Sequence, residues 1–78
     1  MGLYYFDIQI GETRSVDQEG ADYPDVDTAR AEAGLTLCRL GREMLQSRGV
    51  IEEITIWVRD ELGEVMQGKL SFRMSRLN

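Results

Sequence analysis

The sequence predicts an α+β fold in which one helix packs on one face of a four-stranded antiparallel sheet, in the order β-β-α-β-β. Apolar and polar residues alternate in residues 3–10 and again in residues 54–59, which is the pattern of half-buried strands. Between residues 26 and 44, apolar residues recur at steps of three and four, the period of a helix. The 78 residues, without a repeat or linker, predict a single domain spanning residues 1–78.

The first predicted strand has one strongly apolar face. That face carries four large side chains: Tyr4, Phe6, Ile8 and Ile10. Residues 11–13 can turn the chain, and residues 14–17 can return as a second strand. Val16 is the only large apolar residue of this second strand, so we expect it to be short and to lie at the sheet edge.

The central segment predicts a long helix. Asp25 is placed to cap its first free amides, and Asp27 in the first turn opposes the helix dipole. Gly49 is a suitable residue to end it. Gly34 and Gly41 inside the helix each cost about 1 kcal/mol relative to alanine. Their presence indicates that the helix approaches another element closely.

Two further strands follow the helix. Residues 60–64 form a hairpin loop between the strand at residues 54–59 and a last strand at residues 65–74. Gly68 is a candidate bulge position. Since the first and third strands have the best patterns, both are predicted to be central, which gives the order 2-1-3-4.

The helix covers one face of this sheet and leaves the other uncovered. The candidate interaction surface on the uncovered face consists of Tyr5, Thr55, Trp57, Arg59, Lys69 and Arg73. Aromatic residues among basic ones could stack on nucleic-acid bases, but the net charge of −5 opposes phosphate binding. We therefore expect a non-catalytic domain that contacts a second copy or another protein through this face. On the same face, Asp7 lies within cross-strand reach of Arg59 or Arg73, which predicts an ion pair.

Composition excludes most catalytic and metal chemistry. The chain has no histidine, the commonest general base and a usual zinc ligand, so catalytic triads and histidine-metal sites are excluded. Its single cysteine, Cys38, suits a reducing cytoplasm and is expected to be a buried packing residue. No apolar run approaches the roughly 20 residues of a membrane span, and no signal peptide is visible. We expect a cytoplasmic protein with no enzymatic activity, no cofactor and no contact with a membrane.

The first 30 residues are strongly acidic, with seven acids against two arginines. The candidate acidic rim consists of Glu12, Asp17, Glu19, Asp22, Asp25 and Asp27. Residues 17–28 do not match the ligand positions of a calcium loop, so we expect a solvated turn that leads into a helix cap. An alternative function is that of an antitoxin-like regulator that binds a basic partner through residues 12–27.

Several short motifs resemble a family of short bacterial proteins catalogued as a domain of unknown function. The motifs are Tyr5-Phe6-Asp7-Ile8, Asp17 with Glu19-Gly20, Pro24-Asp25, Ala29-Arg30-Ala31-Glu32-Ala33, and Val58-Arg59-Asp60-Glu61 with Gly63. The resemblance covers nearly the whole chain, and it departs at Gly68-Lys69, where the family has a more apolar strand. It implies the same order of elements and a bacterial cytoplasmic setting, and it implies no activity or ligand. At the level of fold, the chain also resembles the small domain of HicB-type antitoxins.

Overall fold

A long helix packs against an antiparallel sheet in the computed structural model, which describes residues 2–78. Its elements are β1 (Gly2–Ile10), β2 (Thr13–Ser15), β3 (Ala21–Tyr23), α1 (Val26–Arg48), β4 (Ile54–Asp60) and β5 (Gly63–Leu70). The predicted α+β class is therefore confirmed. The sheet has five strands and not the predicted four, so the strand order differs slightly from the prediction. Its main path, β2-β1-β4-β5, is antiparallel throughout and corresponds to the predicted order 2-1-3-4, and β3 pairs with β1 beside this path.

β3 is an additional strand that the sequence pattern did not predict. It pairs with the first residues of β1, while β2 pairs with the last ones. Ile8 faces Ser15 and Tyr4 faces Ala21, so the five residues 16–20 of the second segment run alongside only three residues of β1, 5–7. Because this segment is longer than the part of β1 that it faces, residues 16–20 bulge away from the ladder between β2 and β3.

Both ends of α1 are capped as predicted. The Thr28 backbone N–H donates to the Asp25 carboxylate at 2.7 Å, and the Gly49 N–H donates to the Leu45 carbonyl at 2.9 Å. Gly49 adopts a left-handed φ of +76°, a conformation that glycine tolerates best. These bonds satisfy backbone groups that the helix itself leaves unpaired.

The core lies between α1 and the central strand β4. Its buried apolar residues are Ala29, Ala33, Leu37, Met44, Ile54, Ile56 and Val58. At Gly41, a Cβ atom would lie 2.6 Å from Leu70 Cδ2, so α1 approaches β5 closely at this glycine, as predicted. At Gly34 the same atom would meet nothing within 4 Å, and the prediction of close approach is wrong there.

The end of β5 corrects the predicted last strand. β5 stops at Leu70, which pairs with Ile54, the first residue of β4. Residues 71–74 therefore have no strand to pair with inside the sheet, and Phe72 is 44% exposed. The irregularity in the ladder lies beside Val65, between the pairs Val58–Met66 and Arg59–Glu64, and not at Gly68.

The exposed side of α1 corrects a second expectation. Cys38 is exposed and not a packing residue, because the buried stripe of the helix passes through Leu37 and Gly41 instead.

No helix in residues 2–78 combines the length and the apolar character that crossing a membrane requires.

Candidate functional site

We call the face of the sheet opposite α1 the outer face. Cross-strand pairing places its residues in rows: Tyr5 beside Arg59, Asp7 beside Trp57 and Gln67, and Arg14 beside Gln9, Thr55 and Lys69. Five of the six predicted surface residues are brought together on this face. The sixth, Arg73, lies beyond the end of β5 and outside the sheet.

A buried carboxylate organises one end of the outer face. Asp7 is only 2% exposed, and its Oδ2 accepts from Arg59 Nε at 2.7 Å, which confirms the expected ion pair. Its Oδ1 accepts from the Asp17 backbone N–H at 2.9 Å. Arg59 Nη2 then donates to the Asp17 carbonyl at 2.6 Å. The bulge at residues 16–20 is thus held on the sheet through both backbone groups of Asp17.

The Asp17 side chain replaces the missing part of the β ladder. Its Oδ2 accepts from the Phe6 backbone N–H at 3.1 Å, at the gap between β2 and β3. Its Oδ1 accepts from the N–H groups of Glu19 and Gly20, each at 3.1 Å, which closes a tight turn. Three backbone donors therefore depend on this one carboxylate. Sequence reasoning placed Asp17 in a solvent-exposed rim, although an aspartate three residues before a glycine is a known turn signal.

The pKa of Asp17 is shifted by opposing effects. Burial raises it, but the hydrogen bonds from Gly20, Phe6 and Glu19, together with the positive charge of Arg59, outweigh burial and lower it. The hydrogen bond to Asp7 raises the pKa of Arg59 in turn, so the guanidinium stays charged. The lowered pKa of Asp17 and the raised pKa of Arg59 both favour the charged forms of these two side chains.

Acidification is expected to remove the stability that Asp17 contributes. Because the pKa of Asp17 is lower in the folded chain than its ordinary value of 3.8, its contribution is complete above that value. The contribution disappears as pH falls through the lower, folded-state pKa. Urea unfolding of the wild type and of Asp17→Asn should show a stability difference that shrinks between about pH 5 and pH 2. Asp25 titrates in both proteins and cancels in the comparison, and a difference that stays constant with pH would contradict this role of Asp17.

Two arginine–aromatic contacts cover the aromatic residues of the outer face. The Arg59 guanidinium lies 4.3 Å from the Tyr5 ring centroid, and that of Arg14 lies 4.1 Å from the Trp57 ring. Tyr5 is also contacted by the bulge, since a Cβ on Gly20 would come within 2.9 Å of its ring. Both aromatic side chains are half-buried, not free in solvent.

The basic residues of the outer face all have carboxylate partners in the same chain. Arg59 pairs with Asp7, while Arg14 and Glu64 lie 3.5 Å apart and Lys69 and Glu53 lie 3.9 Å apart. Thr55 is also closed off, at 8% exposure. Each described basic side chain of the outer face is therefore matched by a carboxylate.

Two carboxylates of the predicted acidic rim are hydrogen-bonded to the backbone. Asp17 bonds to backbone amides in the bulge, and Asp25, although exposed, caps α1. The other four members are also exposed: Glu12, Glu19, Asp22 and Asp27. Among residues 2–78, no group of three or more His, Cys, Asp or Glu side chains is positioned to hold a metal ion.

Comparison with known families and proteins identifies the family of this chain but not an activity. No curated protein and no solved structure is significantly similar to this chain. One family model matches residues 3–73, a span that includes the whole of α1 and, apart from Gly2, all five strands of the sheet. The chain belongs to the family described as a domain of unknown function, DUF6894.

Proposed function

We propose that this chain is a non-catalytic interaction domain that binds a second copy of itself through the outer face. The observation that supports the proposal is the pair of fixed arginine–aromatic contacts on that face, at Trp57 and Tyr5. Tryptophan, tyrosine and arginine are the residue types most enriched at the energetic centres of protein interfaces. Because ion pairs already hold both arginines, little side-chain entropy remains to be lost on binding.

Charge balance favours a second copy as the partner. A chain of net charge −5 repels its own copies in general, so two copies meet most easily where the local charge is neutral. The outer face meets that condition because Arg14, Arg59 and Lys69 are each matched by a carboxylate. Two identical faces can therefore approach without opposing like charges.

The acidic segment supports an antitoxin-like function less well. Two of its six carboxylates, those of Asp17 and Asp25, are occupied by backbone hydrogen bonds. The other four lie on separate segments of the chain, from the turn after β1 to the first turn of α1. Exposed surface charges each contribute little to binding.

Truncating Trp57 tests the proposal. We expect Trp57→Ala to halve the solution mass measured by light scattering, because it removes the largest side chain of the outer face. Leu35→Ala is the matched control, since Leu35 is 63% exposed on the solvent side of α1 and its loss leaves the outer face intact. Urea unfolding establishes that both variants are folded. A wild-type mass that Trp57→Ala leaves unchanged contradicts self-association through this face.

A further inference from the structure

We propose that the free edge of β5, together with residues 71–74, pairs antiparallel with the same segment of a second copy. This contact lies at the end of the sheet and is separate from the outer face, so it does not rest on the proposed function. Its partner is identified by three features: an open strand edge, an apolar groove beside that edge, and an unpaired apolar segment that matches the groove.

The open edge belongs to an eight-residue strand. β5 pairs with β4 on one side, and within residues 2–78 no strand pairs with its other side. An unpaired edge of this length exposes backbone donors and acceptors that a further strand can satisfy. The irregularity at Val65 lies at one end of the strand, so the segment from Met66 to Leu70 is available for regular pairing.

An apolar groove of about 270 Å³ runs between α1 and β5. Ala33 and Leu37 line it from the helix, Ile56 and Val58 form its floor, and Met66 and Gly68 lie on the β5 side. At Gly68 a Cβ would already lie 3.3 Å from Ile56 and 3.4 Å from Leu37. A larger residue at position 68 would require Ile56 or Leu37 to shift by a few tenths of an ångström, whereas a neighbouring strand can bring a side chain to the groove from outside.

Residues 71–74 supply side chains of the required kind and spacing. Leu70, Phe72 and Met74 continue the alternation of β5, so in an extended strand they share the face that carries the groove. Phe72 and Met74 are 44% and 84% exposed, and β4 does not extend far enough to pair with them.

A two-fold axis at Leu70 brings these features together. Antiparallel pairing about that residue sets Phe72 of one copy opposite Gly68 of the other, and Met74 opposite Met66. An aromatic side chain beside a strand glycine covers the gap that the glycine leaves.

Replacing Phe72 tests the contact. Phe72→Ser is expected to halve the solution mass measured by light scattering, because the groove of each copy loses its aromatic occupant. Leu77→Ser makes the same chemical change in the same segment, at a residue that is 98% exposed and has the opposite strand parity, and it should leave the mass unchanged. A Phe72→Ser mass equal to that of the wild type overturns the proposal.

Engineered disulfides test the register itself. In a Cys38→Ser background, Lys69→Cys with Ser71→Cys places each new thiol opposite one in the second copy, within the roughly 4.4–6.8 Å between Cα atoms that a disulfide spans. Mild oxidation should give a covalent dimer on a non-reducing gel, whereas Lys69→Cys with Ser75→Cys should not. A yield that is equal for the two pairs, or absent for the first, overturns the register.

The two proposals fail independently. Adding Trp57→Ala to the disulfide pair should leave cross-linking unchanged, because Trp57 lies on the outer face and not at the edge of β5. If cross-linking is lost with Trp57→Ala, the contact at the edge of β5 depends on the outer face, and the proposal of a separate edge contact is overturned. If Trp57→Ala leaves both the mass and the cross-link unchanged, only the outer-face proposal fails.

Discussion

Replacing Arg59 with methionine is expected to leave most of the protein unfolded at 25 °C. Methionine retains the apolar length of the side chain but removes the charge that faces Asp7, whose side chain is 4% exposed. A buried carboxylate that loses its counter-charge destabilises a fold by about 3–5 kcal/mol. A core of this size supplies roughly the same amount in total. Circular dichroism and urea unfolding will measure the loss.

Arg14→Met is the matched control for that experiment. Arg14 also contacts an aromatic ring on the outer face. Its partner is Glu64, whose Oε2 lies 3.5 Å from Arg14 Nη2, but both side chains are half-exposed. Pairs of this kind contribute about 0–1 kcal/mol, so this variant should stay folded. Combining Arg59→Met with Asp7→Ala removes both charges and should recover much of the lost stability. If the two methionine variants lose equal unfolding free energy, the buried pair of Arg59 with Asp7 stabilises the fold no more than the exposed pair of Arg14 with Glu64.

The sequence predicted those parts of the fold that repeat a pattern over many residues. β1 and β4 alternate apolar and polar residues over most of their length, and α1 carries both a periodic apolar stripe and recognisable caps. Such signals arise from burial of one face, and they require no knowledge of the rest of the chain. The central position of β1 and β4 followed from the same burial argument.

The remaining features depend on contacts between distant segments. β3 has three residues and no alternation of its own, and it exists because the start of β1 offers it an edge. β5 stops at Leu70 because its partner, Ile54, is the first residue of β4, although the apolar alternation continues through Phe72 and Met74. A local pattern indicates that a segment can form a strand, but only a neighbouring strand decides where pairing stops.

The candidate site shows the same division. The ion pair between Asp7 and Arg59 could be predicted from strand alternation and reach. The role of Asp17 could not, because it combines a local turn with bonds to two separate strands, through Phe6 and Arg59. Residues of three of the motifs quoted above thus meet in one network: Phe6 and Asp7 of the first, Asp17 and Gly20 of the second, and Arg59 of the last. These residues hold the bulge against the sheet.

Gly20 is expected to be the most sensitive glycine of the bulge. It adopts φ +70°, and a Cβ there would lie 3.0 Å from the Tyr4 carbonyl oxygen and 2.9 Å from the Tyr5 ring. The left-handed conformation alone costs a non-glycine residue about 1–2 kcal/mol. Crowding against the backbone of β1 adds about 1–3 kcal/mol, since the carbonyl cannot move without breaking the ladder. Urea unfolding of Gly20→Ala should therefore show a loss of about 2–5 kcal/mol in unfolding free energy.

Gly49→Ala separates the two parts of that loss. Gly49 has a similar φ of +76°, but a Cβ at this position meets nothing within 4 Å, so the variant carries the conformational cost alone. The excess loss in Gly20→Ala then measures how tightly the bulge is pressed onto Tyr4 and Tyr5. If the two alanine variants lose equal stability, the bulge can lift from the sheet without cost. Tyr5 and Arg59 would in that case not be held in place, and the outer face would lose the rigidity on which its proposed role depends.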